Sequence, residues 1–155
     1  QTLIRHFPTK GDLMADIHIL TTKHFKKFLR ERTMDAISTW RAWLELTANE
    51  LPDMLVFPSD SYRFPAVTPD GEAAIYGLKE ALAETIAEDL GVSLVNDLRP
   101  VLIACALIGG NGHVALSWAG KRMDKKKFVA SLLEVVDVTR ESLGKEFSAR
   151  KVAVA

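Results

Sequence analysis

A chain of 155 residues, 48% hydrophobic and 26% charged, can fill one sizeable core and is too short for two comfortable ones. Its formal net charge of zero excludes the global basic field of a protein that coats nucleic acid or a membrane surface. A single cysteine, Cys105, excludes an internal disulfide and fits a reducing cytoplasm, and no basic-then-apolar leader opens the chain.

Apolar periodicity near 3.6 predicts helices throughout and no strands, an all-α fold of five to six helices. Gln1 falls in mid-pattern, so residues are expected before it. Thr9-Lys10-Gly11-Asp12 has the form of a capping box and starts a helix that runs to about Arg32. Leu13, Ile17, Leu20, His24 and Phe28 form its apolar stripe, widened by Met14, Phe25 and Leu29. Lys23, Lys26, Lys27 and Arg30 gather near its end, where the helix dipole favours cations.

A second helix is predicted from about Ala36 to Glu50, with Ile37, Trp40, Leu44 and Thr47 on one face and Trp43 beside them. Pro52, Pro58, Pro65 and Pro69 then break the pattern into turns. That segment carries Met54, Leu55, Phe57, Tyr62 and Phe64, and a loop so apolar must cover something. Thr68-Pro69-Asp70 reads as an N-cap, a proline in the first turn and an acid at the dipole's positive end. The helix it opens buries Ile75, Leu78, Leu82, Ile86 and Leu90, and Gly91 ends it. Glu80, Glu84 and Glu88 form a solvated row on its other side.

Two long helices follow, one from Asp97 to about Ala119 and one from Asp124 to about Phe147. Between Pro100 and Gly120 there is no Asp, Glu, Lys or Arg, a length that could span a bilayer. Asn111 and His113 sit in its middle, so a buried helix is expected instead of a membrane span. A helix apolar all round must be covered all round, and so small a chain can hardly do it alone. A homodimer is therefore expected through Val101, Cys105, Ile108, Gly112 and Ala115 of the first, with Phe128, Leu132, Val135, Val136 and Leu143 of the second. The alternative is that the earlier helices wrap this pair completely.

Catalytic patterns are missing. No Glu-x-x-His, His-Glu-x-x-His or nucleophile-and-base signature is present, so no enzyme, metal or cofactor is expected. Gly110-Asn111-Gly112-His113-Val114-Ala115 fits the spacing of a dinucleotide loop but has no strand–helix–strand unit around it. What the sequence offers is a wall for a small apolar or amphipathic molecule: Trp40, Trp43, Leu44, Met54, Phe57, Tyr62, Phe64 and Tyr76, with Thr47 and His113 as polar fixtures.

The opening run Gln1-Thr2-Leu3-Ile4-Arg5-His6-Phe7-Pro8-Thr9-Lys10, followed by Gly11-Asp12-Leu13, resembles the end of the helix-turn-helix in TetR-type transcriptional repressors. That family shows Thr-Leu-Tyr-x-His-Phe-x-Ser/Thr-Lys-x-x-Leu at this junction. Thr2, Leu3, His6, Phe7, Thr9, Lys10 and Leu13 match, while Ile4 stands in place of the aromatic. The resemblance implies that residues 1–9 end a DNA-binding unit and residues 10–150 form an effector-binding and dimerisation domain. It implies DNA contacts from Gln1, Thr2, Arg5, His6 and Lys10, with His6 and Lys10 reaching phosphates. It also implies a four-helix dimer interface from the last two helices, and a cytoplasmic repressor released from operator DNA by a small lipophilic effector. The other reading is a dimeric helical carrier or adaptor with no DNA partner.

Overall fold

The computed structural model describes residues 21–50, 69–118 and 124–143. Among these residues every regular element is a helix. Helix α1 is described over 21–30, followed by α2 (Ala36–Glu50), α3 (Pro69–Leu90), α4 (Arg99–Ser117) and α5 (Lys125–Leu143). Helices α2, α3, α4 and α5 close a ring, each packed on the next and α5 returning to α2. Helix α1 lies on the α2–α3 side: the Thr22 hydroxyl donates to the Ala74 carbonyl at 3.0 Å, and Gly77 leaves room for the Lys26 side chain.

Every helix sends at least one fully buried side chain to the centre: Phe25 from α1, Ile37 from α2, Leu82 and Ile86 from α3, Ile103 and Leu107 from α4, and Val136 from α5. A second cluster at the far end joins Ala48, Phe128 and Leu132, with Val114, Trp118 and Val129 packed against it. There the Trp118 and Phe128 rings meet edge to face, 6.2 Å between centroids.

The helix ends explain the register. Asp35 caps α2, accepting from the Ser38 backbone at 2.9 Å, as an N-terminal carboxylate should. The Arg140 guanidinium reaches the same Asp35 carboxylate at 2.7 Å and the Ser38 hydroxyl at 2.8 Å, tying the end of α5 to the start of α2. Asp89, near the end of α3, accepts the Ala36 backbone N–H at 2.6 Å and pairs with Arg32 at 3.0 Å. One free donor of α2 is thus satisfied from α3, and the dipole of α2 faces a carboxylate. Gly91 takes a positive φ of 65°, and Val92 N–H bonds back to Ala87 O at 3.0 Å, the left-handed stop its sequence predicts.

Two expectations are corrected here. His24 is exposed, and α1 turns Phe25 and Leu29 inward in its place, with Phe28 half-buried. Ile75 is an exposed hydrophobic, because α3 buries only from Leu78 onward. Helix α4 is long and apolar enough to cross a membrane, and 28% of that stretch is buried within the chain, so the earlier helices do not wrap it completely. The side it does bury lies among α2, α3 and α5, whose outer faces carry Arg41, Glu45, Glu80, Glu84, Glu134 and Asp137 and require water.

Candidate functional site

The aromatic group of the site is built from α1 and α2. Trp40 and Trp43 stand three residues apart, which puts both indoles on one side of α2, 5.1 Å between centroids. The Phe25 ring of α1 meets Trp40 edge-on at 4.9 Å and Trp43 at 5.0 Å. All three are buried, and Leu44 continues the same face one turn on. The one polar atom of Trp40 is not stranded: Nε1 donates to Asn111 Oδ1 at 3.0 Å, and Asn111 Nδ2 donates to the Leu132 carbonyl at 2.9 Å. Asn111 is buried within the uncharged stretch of α4 that begins at Pro100, and it joins α2, α4 and α5. Its role is invisible in the sequence, where it reads as a polar interruption.

The structure brings Trp40, Trp43 and Leu44 together and sends other expected lining residues elsewhere. Thr47 is half-buried, and its hydroxyl donates to the Trp43 carbonyl at 2.8 Å, a bond inside its own helix. His113 is exposed on α4, and Tyr76 is 55% exposed on α3, so neither faces the tryptophans. Tyr76 instead edges a groove of about 210 Å³ between α3 and α4, floored by Ala83, Leu94 and Val101 and rimmed by Lys79, Glu80 and Glu84. The Lys79 ammonium lies over the Tyr76 ring, 4.5 Å from its centroid. This groove is smaller than most ligand pockets, which run from about 300 to 1,000 Å³. Met54, Phe57, Tyr62 and Phe64 lie outside the described residues, as do Gln1, Thr2, Arg5, His6 and Lys10.

The expected interface residues also divide. Phe128, Leu132 and Val136 are buried within the chain's own core and cannot offer their side chains to a partner, which corrects their assignment. Val135 is half-buried and lies against α4, where a Cβ on Gly110 would meet its Cγ1 at 2.6 Å. Val101 and Ile108 are half-buried against the central cluster, and Ala115 is half-buried. Cys105, Gly112 and Leu143 are exposed. The uncovered side of α4 is therefore rotated from the predicted seam and runs along Leu98 (69% exposed), Leu102 (56%), Cys105, Gly109, Gly112 and Leu116 (47%). Added Cβ atoms at Gly109 and Gly112 would meet nothing within 4 Å among the described residues, so these glycines answer no crowding there.

Among the described residues no three His, Cys, Asp or Glu side chains gather as metal ligands. At the entry to α4, Asp97 accepts from the Arg99 backbone at 2.9 Å and from its guanidinium at 2.9 Å. The Arg99 hydrogen bonds, side chain first and backbone next, hold the half-buried Asp97 carboxyl below its ordinary value. Comparison of the chain with protein-family models, curated proteins and solved structures finds no match.

Proposed function

We propose that this chain is the effector-binding and dimerisation part of a TetR-type transcriptional repressor, a non-catalytic cytoplasmic protein that leaves operator DNA when a small lipophilic molecule binds. The observation that carries the reading is the residue order from Thr2 to Leu13, in which Thr2, Leu3, His6, Phe7, Thr9, Lys10 and Leu13 match the pattern of that family's junction. Two features of the described residues support it. Helix α1, which follows that run in the sequence, meets Trp40 and Trp43 through Phe25, so a change among the aromatics acts directly on the helix nearest the junction in sequence. The open apolar side of α4 suits an obligate partner, as a regulator reading a two-fold operator needs.

The test uses the product of the whole reading frame that contains this chain, challenged with random duplex DNA at fixed salt, because phosphate contacts make affinity salt-dependent. Enrichment of an inverted repeat, with half-sites about one helical turn or a multiple apart, is the expected result. Addition of lauric acid as a lipophilic probe should lower retention of the enriched duplex. A folded dimer that enriches no sequence overturns the repressor and leaves the carrier or adaptor reading.

A further inference from the structure

We propose that the open side of α4 closes antiparallel against the same side of a second copy, with Leu102 of one copy seated over Gly112 of the other and Cys105 over Gly109. The inference rests on the reading of the chain as a homodimer and specifies a face and a direction that this reading leaves open.

The exposed residues Leu98, Leu102, Cys105, Gly109, Gly112 and Leu116 are separated by steps of four and three in strict alternation, the heptad spacing of a helix that packs along one seam. From Pro100 through Ser117 the helix carries no Asp, Glu, Lys or Arg. A two-fold interface sets a surface against itself, so an uncharged side can meet its copy with no like charges opposed.

Size order along the seam gives the direction. In an antiparallel pair, residues equally far on either side of the midpoint meet. Here the midpoint falls at the level of Leu107, and the pairs are Leu98 with Leu116, Leu102 with Gly112, and Cys105 with Gly109. Two of the three set a larger side chain over a glycine. A parallel pair would set Gly109 on Gly109 and Gly112 on Gly112, leaving voids beside a crowded Leu102 pair. The glycines gain a purpose in this arrangement. They weaken the helix, nothing among the described residues touches the space where their Cβ atoms would stand, and a partner's Leu102 and Cys105 would fill it.

Sedimentation of the chain at 20 µM should give a dimer. Gly112→Leu should raise the dimer dissociation constant at least tenfold while the circular dichroism and the melt of the protomer remain, since the substituted side chain has open room in the single chain. Oxidation with copper phenanthroline, which removes two electrons and two protons per disulfide, tests the direction. Gly109→Cys should link Cys105 of one copy to the introduced thiol of the other, identified by peptide mass. The wild-type chain should not link Cys105 to Cys105, because an offset of four residues, about 6 Å along the axes, adds to the gap between helices and exceeds disulfide reach. A wild-type monomer at 100 µM overturns both this inference and the dimer reading. A dimer indifferent to Gly112→Leu overturns the α4 seam and leaves the dimer. A rapid Cys105–Cys105 disulfide overturns the antiparallel direction.

Discussion

The indole N–H of Trp40 and the side-chain amide of Asn111 are bonded at 3.0 Å inside the core, and Asn111 passes the link on to the Leu132 carbonyl at 2.9 Å. Both partners are buried, so loss of either strands a polar group away from water.

Asn111→Ala removes the acceptor of Trp40 and a donor to α5, and the folded state should lose about 2 kcal/mol. In a domain of this size that is a fall in melting temperature of about 4–8 °C. Trp40→Phe removes only the donor and leaves an aromatic ring in place. In the double variant the two losses should fall short of additive by about 1 kcal/mol, because they share one bond. Full additivity in urea unfolding would show that the bond contributes nothing.

Gly110→Ala should destabilise the chain even though alanine favours helix by about 1 kcal/mol. The added methyl would stand 2.6 Å from Cγ1 of Val135, a β-branched side chain with little rotamer freedom on a helix. Overpacking of this kind costs about 1–3 kcal/mol, so the net change is a loss. A thermal melt at or above that of the wild type would show that α4 and α5 separate more easily than their contact suggests.

The helices that read clearly in the sequence are those with one wet side. Helix α3 runs from Pro69 to Leu90 and stops at Gly91, as its proline, its apolar spacing and its glycine predict. Helix α2 occupies 36–50 as expected, and α5 begins after Asp124, whose carboxylate accepts from the Lys127 backbone at 3.2 Å. Helix α4 was legible as a helix and illegible as a face. With apolar residues on every side, nothing in its spacing separates Ile103 and Leu107, which the core takes, from Leu102 and Leu116, which it leaves out. The same holds for the expected pocket. Trp40 and Trp43 lie inward because their helix is amphipathic, whereas Tyr76 and His113 were assigned by side-chain chemistry alone and lie at the surface. Asn111 carried no sequence signal of its partners, because both are more than twenty positions away in the chain.

The acid side of the stability profile should carry a contribution from Asp97. Its folded carboxyl lies below the ordinary value, so the stability it supplies is present above the unfolded value and is lost as pH falls through the folded one. Asp97→Asn should therefore lower the melting temperature by a constant amount from pH 8 to about pH 5, and the difference should shrink below about pH 4. A difference that stays constant down to about pH 2 would place the effect of the substitution in something other than carboxylate charge.

Phe25 sits where α1 meets both indoles of α2, and under the repressor reading proposed above it is the contact through which a bound ligand would act on the junction. A ligand shifts the spacing of two reading heads only through a difference in its affinity for the two spacings, and a tenfold preference per site supplies about 1.4 kcal/mol. So small a drive is transmitted only by a contact that does not yield. Phe25→Leu keeps much of the volume but loses the edge-to-face contact, and Phe28→Ala thins the neighbouring packing on the same helix. Both should lower stability by about 1–2 kcal/mol and leave the chain folded, which tryptophan emission and a thermal melt check. In the whole-gene product, the ratio of operator affinities without and with the releasing molecule should fall toward unity in both variants, while operator affinity itself changes less. Operator DNA recovered by selection and titrated at one salt concentration supplies the measurement. If both folded variants keep the wild-type ratio, the coupling between effector and DNA does not run through α1.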